Sequence, residues 1–232
     1  MTRIRILNSV ARGAVTDDAL PAFPGFVTVD VDWLPDGSRR SIECRGDAAQ
    51  VQPLILDRVR AAVADGVDGI VINCFMDPGL EPAREISPVP VAGPAQSAMT
   101  LALNLGDRFS VVLPSASGAP IVRRQARTYV EPSRLASVRS VDMPVEELGD
   151  SGRLVDALTA EAERAIADDG AEVVILGCTG MSYATDAVRE RLDGSGVPVL
   201  DPTLCAVGAV LSQTIQSVRH SELGYRLPSW RV

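Results

Sequence analysis

Two cysteines in this chain close stretches that read as copies of each other. Asp65-Gly66-Val67-Asp68-Gly69-Ile70-Val71-Ile72-Asn73-Cys74 aligns without a gap on Asp169-Gly170-Ala171-Glu172-Val173-Val174-Ile175-Leu176-Gly177-Cys178. Asp falls on Asp, Gly on Gly, acid on acid and aliphatic on aliphatic. Two thiols in mirrored positions suit one chemistry in particular. Removing a proton from one face of a carbon and returning one to the other face needs a group on each side, and the two exchange roles for the opposite hand of substrate. A free thiol ionises near ~8.5, and a helix N-terminus beside it lowers that value enough for a thiolate to act as base. The partner must stay a thiol to act as acid, so the pair titrates as a coupled system. The carbanion delocalises into an adjacent carbonyl, whose oxyanion needs backbone N–H groups or polar side chains. Asn8, Ser115, Thr179 and the amides that follow each cysteine are the candidates for that task.

Each cysteine must be carried by an α-β unit: a helix that stops at glycine, a short apolar strand, and the thiol at the strand's carboxyl end. That end is where open α/β sheets bind ligands. The remaining pattern agrees. Strands are predicted at Arg3 to Leu7, Phe26 to Trp33, Pro88 to Val91, Phe109 to Leu113, Ala136 to Val141 and Val197 to Leu200. Helices are predicted at Gln50 to Ala64, Ala95 to Leu105, Ile121 to Val130, Leu154 to Ala167, Met181 to Leu192 and Leu204 to Val218. Asp77-Pro78 reads as the N-cap and first turn of one more helix. Ala11 to Phe23 reads as a loop or short helix, and Pro114 to Gly118 as a small polar ligand loop or a plain turn. Alternating strands and helices imply parallel sheets joined by crossovers. The expected fold is α/β, with two pseudo-symmetric halves and an active-site cleft between them. Residues 1–95 form the half carrying Cys74, residues 96–202 the half carrying Cys178, and residues 203–232 a helix and tail packing back on the first half.

Composition excludes several alternatives. The net charge of −8 argues against nucleic acid as partner. All 22 positive side chains are arginines, so no lysine exists to hold pyridoxal phosphate as a Schiff base. The four cysteines lack Cys-x-x-Cys spacing and His220 is the sole histidine, which leaves no zinc motif. We expect no metal and no cofactor. A cysteine hydrolase would need a histidine base, and His220 lies far along the chain. Cys44 and Cys205 read as packed core residues. No apolar run reaches membrane length and the chain opens on a strand-like segment, which predicts a soluble, cytoplasmic protein acting on a small molecule.

The residues also carry a resemblance. Cys74-Phe75-Met76-Asp77-Pro78-Gly79-Leu80, with Ala83-Arg84-Glu85 and Pro90-Val91-Ala92-Gly93, is similar to the first cysteine motif of the hydantoin racemase branch of the aspartate/glutamate racemase superfamily. Gly170 to Met181 resembles its second motif, and Ser221-Glu222-Leu223-Gly224-Tyr225 with Pro228 resembles its C-terminal pattern. The resemblance implies a cofactor-independent, homo-oligomeric racemase or epimerase with Cys74 and Cys178 as catalytic acid and base. It implies a 5-substituted hydantoin or allantoin-like substrate, for which Asn8, Phe75, Ser115, Thr179 and Gly180 are the candidate binding residues. Acidic amino acids are the alternative substrates, and a decarboxylase or cis-trans isomerase the alternative reactions. A binding or regulatory domain with merely packed cysteines is a further alternative from a different class. This chain departs from the pattern at Asn8-Ser9-Val10, where the family usually opens with Asn-Pro-Asn-Thr. It departs again at Gln96, where Glu is frequent, at Pro114-Ser115, where Thr-Thr is common, and at Gly180, where glutamate racemases carry histidine.

Overall fold

A computed structural model describes residues 1–13, 23, 25–149 and 151–227. Most of the segment from Ala11 to Phe23, and Pro228 of the C-terminal pattern, lie outside the described residues. Two four-stranded, all-parallel sheets organise the chain. The first contains β1 (Thr2–Ala11), β2 (Val27–Leu34), β3 (Gly69–Asn73) and β4 (Val91–Ala92), in the order β2-β1-β3-β4. The second contains β5 (Phe109–Leu113), β6 (Leu135–Ser140), β7 (Val173–Leu176) and β8 (Val199–Leu200), in the order β6-β5-β7-β8. One order maps onto the other strand for strand, so the duplicated sequence is a duplicated topology. In each sheet the chain runs outward in opposite directions from its two central strands. The cleft beyond the carboxyl ends of such a pair is where α/β sheets take ligands.

The repeated motifs form as their sequences dictate. Helix α1 (Arg45–Ala64) buries Val51, Ile55, Val59 and Ala62, one stripe at helical spacing. Gly66 follows at φ +71 and Gly170 follows helix α5 (Ser151–Asp169) at φ +67. Both glycines take the left-handed conformation that ends a helix at little cost. Strands β3 and β7 are buried along their whole length, as expected of central parallel strands covered on both faces. Helix α7 (Pro202–Ile215) packs on β3 and against helix α3 (Pro94–Ala102).

Several local expectations need correction. Strand β1 does not stop before Asn8 but continues to Ala11, with an irregularity in its pairing to β2 between Asn8 and Ala11. The predicted strand at Pro88 to Val91 is confined to Val91–Ala92. The helix predicted from Met181 is a 3-10 turn (Thr179–Ala184) leading into α6 (Thr185–Leu192). Helix α2 (Leu80–Ile86) starts after Gly79 and not at Asp77-Pro78. Asp77 instead adopts φ +48 and turns inward. Its carboxylate accepts the backbone N–H groups of Ala95 (3.0 Å) and Gln96 (2.9 Å), so it caps α3, a helix that begins well downstream in sequence. A local capping rule cannot anticipate a cap supplied through space. Cys44 is exposed at the N-cap position of α1 rather than packed in the core. Cys205 is buried.

Candidate functional site

The carboxyl ends of the four central strands converge on one cavity. Asn8 comes from β1, and Asn73 and Cys74 close β3. Leu113 and Ser115 follow from β5, and Gly177 and Cys178 close β7. About 90 Å³ is open there to the centres of water-sized molecules, several times the ~10–15 Å³ that a single water requires. Phe75, Met76, Leu113, Ile121, Val122 and Val145 give the cavity apolar walls. Arg40 and Glu43 are the only charged residues lining it among the described residues. The sequence-derived candidates Asn8, Phe75, Cys74, Ser115, Cys178, Thr179 and Gly180 all line this cavity.

Both thiols are half-buried. Burial pushes Cys74 up to about 12, and the negative charges of Cys178 and Asp77 push the same way. The Met76 backbone N–H opposes the shift. Cys178 is pushed up to about 11, again by burial first and with Glu43 adding, against the Gly180 backbone N–H. This reverses the expectation that a nearby helix start would lower the thiols. The amides are present, but desolvation outweighs them.

A buried polar chain ties the two halves behind the thiols. Ser182 of the turn after Cys178 donates to Thr203 (3.2 Å), and Thr203 donates to Asn73 Oδ1 (3.0 Å). Asn73 Nδ2 in turn donates to Asn8 Oδ1 (2.8 Å). Asp201 anchors this chain by accepting the backbone N–H groups of Thr203 (2.7 Å) and Leu204 (3.0 Å). A buried network with its partners satisfied is rigid, and here it couples the end of β3 to the turn that carries Cys178. Ser115 is engaged locally, its hydroxyl accepting the Ser117 backbone N–H (3.3 Å).

The two copies differ at the residue before the cysteine. Asn73 supplies a link of the polar chain, whereas Gly177 sits where a Cβ would lie 2.5 Å from Leu113 Cδ2, 2.7 Å from Val111 Cγ1 and 3.0 Å from the Val112 carbonyl oxygen. Gly177→Ala is therefore expected to cost about 1–3 kcal/mol through overpacking and to displace Cys178. Urea unfolding together with the reaction rate would register both effects, and an unchanged stability and rate would show that β5 yields at no cost. Gly180 stands beside the thiol: a Cβ there would lie 3.6 Å from Cys178 Sγ, so a larger side chain would take up space next to that sulfur.

Sequence reasoning passed over Arg40, Glu43, Asn73 and Gln125, all of which line the cavity. One signal was available for Gln125. It lies on helix α4 (Ala119–Tyr129) in the buried stripe with Val122 and Ala126, a polar residue on an apolar face. Arg123, Arg124 and Arg127 of the same helix are exposed, as their spacing predicts. Among the described residues no group of three or more His, Cys, Asp or Glu is placed to hold a metal ion. No helix among them is long and apolar enough to cross a membrane.

The family model for Asp/Glu/hydantoin racemases matches residues 11–210. The chain belongs to this family. It is thereby a racemase, an isomerase by class. A hydantoin racemase of Rhizobium meliloti is 39% identical over 174 residues, which cover 75% of this chain and 71% of that protein. The allantoin racemase of Klebsiella pneumoniae is 31% identical and superposes with a TM-score of 0.90 over 99% of this chain and 94% of that one. The allantoin racemase of Pseudomonas fluorescens is 28% identical, with a TM-score of 0.87 over 98% and 97% of the two chains.

Proposed function

We propose that this racemase inverts the stereogenic carbon of a neutral cyclic ureide, a 5-substituted hydantoin or an allantoin-like compound, with Cys74 and Cys178 as the acid-base pair. The observation that carries the reading is that both thiols, delivered by equivalent strands of the two sheets, line one cavity. One cysteine, as thiolate, takes the proton from the carbon and becomes a thiol. The electron pair moves into the adjacent carbonyl and leaves a planar enolate, and the other cysteine gives its proton to the opposite face. The charge has then passed from one sulfur to the other, and the enzyme stands ready for the enantiomer. Backbone N–H groups after each cysteine, with Asn8 and Thr179, receive the enolate oxygen. Asn8 suits this task because Asn73 occupies its Oδ1 and leaves its Nδ2 as a donor.

The cavity lining supports a neutral substrate over an acidic amino acid. An aspartate or glutamate brings two carboxylates, and each needs paired cations or several donors on entering an apolar site. Among the described residues Arg40 is the only cation in the lining, and it already donates to the Gly13 carbonyl (3.1 Å). Glu43 would repel a second anion. Optically pure 5-substituted hydantoins, allantoin, aspartate and glutamate, followed by polarimetry in deuterated buffer, test the reading. A ring ureide is expected to lose rotation and gain deuterium at the inverted carbon, with neither change for the amino acids. Racemisation of aspartate or glutamate with the ureides inert would overturn the substrate assignment.

A further inference from the structure

Gln125 is 8% exposed and its carboxamide reaches across to the segment behind Cys74. Its Nε2 donates to the backbone carbonyl of Phe75 at 2.9 Å. A carbonyl oxygen only accepts, so this bond fixes which way the amide faces. Oε1 is thereby left as an acceptor, shut away from solvent and without a partner among the described residues. Buried acceptors in that state are uncommon. Here the side chain that carries one lines the cavity shared by the two thiols. A second orphan lies on the other half: Ser9 Oγ, on a residue 1% exposed, also lacks a partner among the described residues while its residue lines the same cavity. An acceptor from one side and a hydroxyl able to donate from the other match the N–H and C=O of a cyclic amide.

We propose that Gln125 Oε1 accepts a hydrogen bond from the N–H attached to the carbon that inverts, making Gln125 a specificity-determining residue of the racemase. The inference rests on the ureide reading above. Position selects this N–H over others of the ring: Gln125 is bonded to the carbonyl of the residue directly after Cys74 and lines the cavity that both thiols share. The arrangement favours ring ureides, which carry a nitrogen on the inverting carbon, over carbon acids of the same shape with a methylene there. Rejection follows because the methylene leaves the acceptor buried and unpaired.

A matched pair of ligands separates this role from simple packing. A 5-substituted hydantoin and the 3-substituted succinimide with the same side chain differ only by a methylene in place of that N–H. Dissociation constants would be measured by calorimetry for the wild-type protein and for Gln125→Met, with racemisation of the hydantoin recorded alongside. The wild type is expected to bind the hydantoin about tenfold or more tighter than the succinimide. Gln125→Met is expected to bring the two within about threefold of each other by weakening the hydantoin alone. Equal binding of the pair by the wild type overturns the proposal, and so does an equal loss for both ligands in the variant, which would mark Gln125 as a prop for Phe75 only. The wild-type comparison needs no substitution and decides the matter if Gln125→Met does not fold. Hydantoin racemised with the succinimide bound equally well would sink the Gln125 role alone. A wild type that neither binds nor racemises any ring ureide would sink the substrate reading, and this inference with it.

Discussion

Cys74→Ser is expected to slow racemisation in both directions by about 10²–10⁴-fold, the usual contribution of a positioned acid or base, and Cys178→Ser by a similar factor. A serine hydroxyl ionises far above a thiol and can neither give nor take the proton at a useful rate. The more telling result concerns exchange. With Cys74 replaced, Cys178 still faces one side of the carbon, so the enantiomer that points its hydrogen at Cys178 should gain solvent deuterium while keeping its configuration. Cys178→Ser should show the same behaviour with the opposite enantiomer. Mirror-image exchange of this kind distinguishes two opposed thiols from a single nucleophilic cysteine, which would leave one of the two variants active on both hands. The test has a structural basis in the equivalent strand order of the two sheets, which delivers the thiols from β3 and β7 to one cavity. Racemisation of both enantiomers at an undiminished rate in either variant would remove that cysteine from the reaction.

The duplicated α-β unit was legible because it depends on short-range signals. A glycine ends each helix, an aliphatic run makes each strand, and a cysteine closes each copy; none of these needs distant partners to be recognised. The parallel sheets and the gathering of Asn8, Ser115, Thr179 and Gly180 around the cysteines follow from strand ends, which the same signals locate. What escaped depends on contacts between segments far apart in sequence. Asp77 looks like the cap of the helix that follows it and caps α3 instead. Gln125 sits in one stripe with Val122 and Ala126, which hints at an inward face, but its partner, the Phe75 carbonyl, lies far away in sequence. The link from Asn73 through Thr203 to Ser182 joins residues with no shared motif. The thiol acidities were misjudged for a related reason. A helix start after a cysteine can be read from sequence, but the depth at which the sulfur is buried cannot, and depth governs here.

That depth leads to a pH dependence with a definite sign. kcat/KM reports the ionisation of the free enzyme, and in the two-thiol mechanism proposed above the reactive form carries one thiolate and one thiol. With Cys178 pushed up to about 11 and Cys74 to about 12, both are protonated at neutral pH, and the reactive fraction grows about tenfold per pH unit. kcat/KM is therefore expected to rise by roughly two orders of magnitude from pH 7 to 9 and to keep rising beyond, for a substrate that does not itself ionise in that range. Unperturbed thiols would bring the curve to a plateau near ~8.5, and such a plateau would contradict the burial argument. The mutual shift also determines how many protons leave. Charge on Cys178 raises Cys74 further, so the first ionisation holds the second thiol in its acid form, which is the state the reaction needs. Folding is linked to the same groups. Because both values lie above those of the unfolded chain, the contribution of the half-buried neutral thiols to stability is complete below the ordinary thiol range and declines as pH climbs through it towards 11 and 12. Alkaline conditions should thus speed the reaction while weakening the fold, and urea titrations run beside the rate measurements would show the two trends diverging.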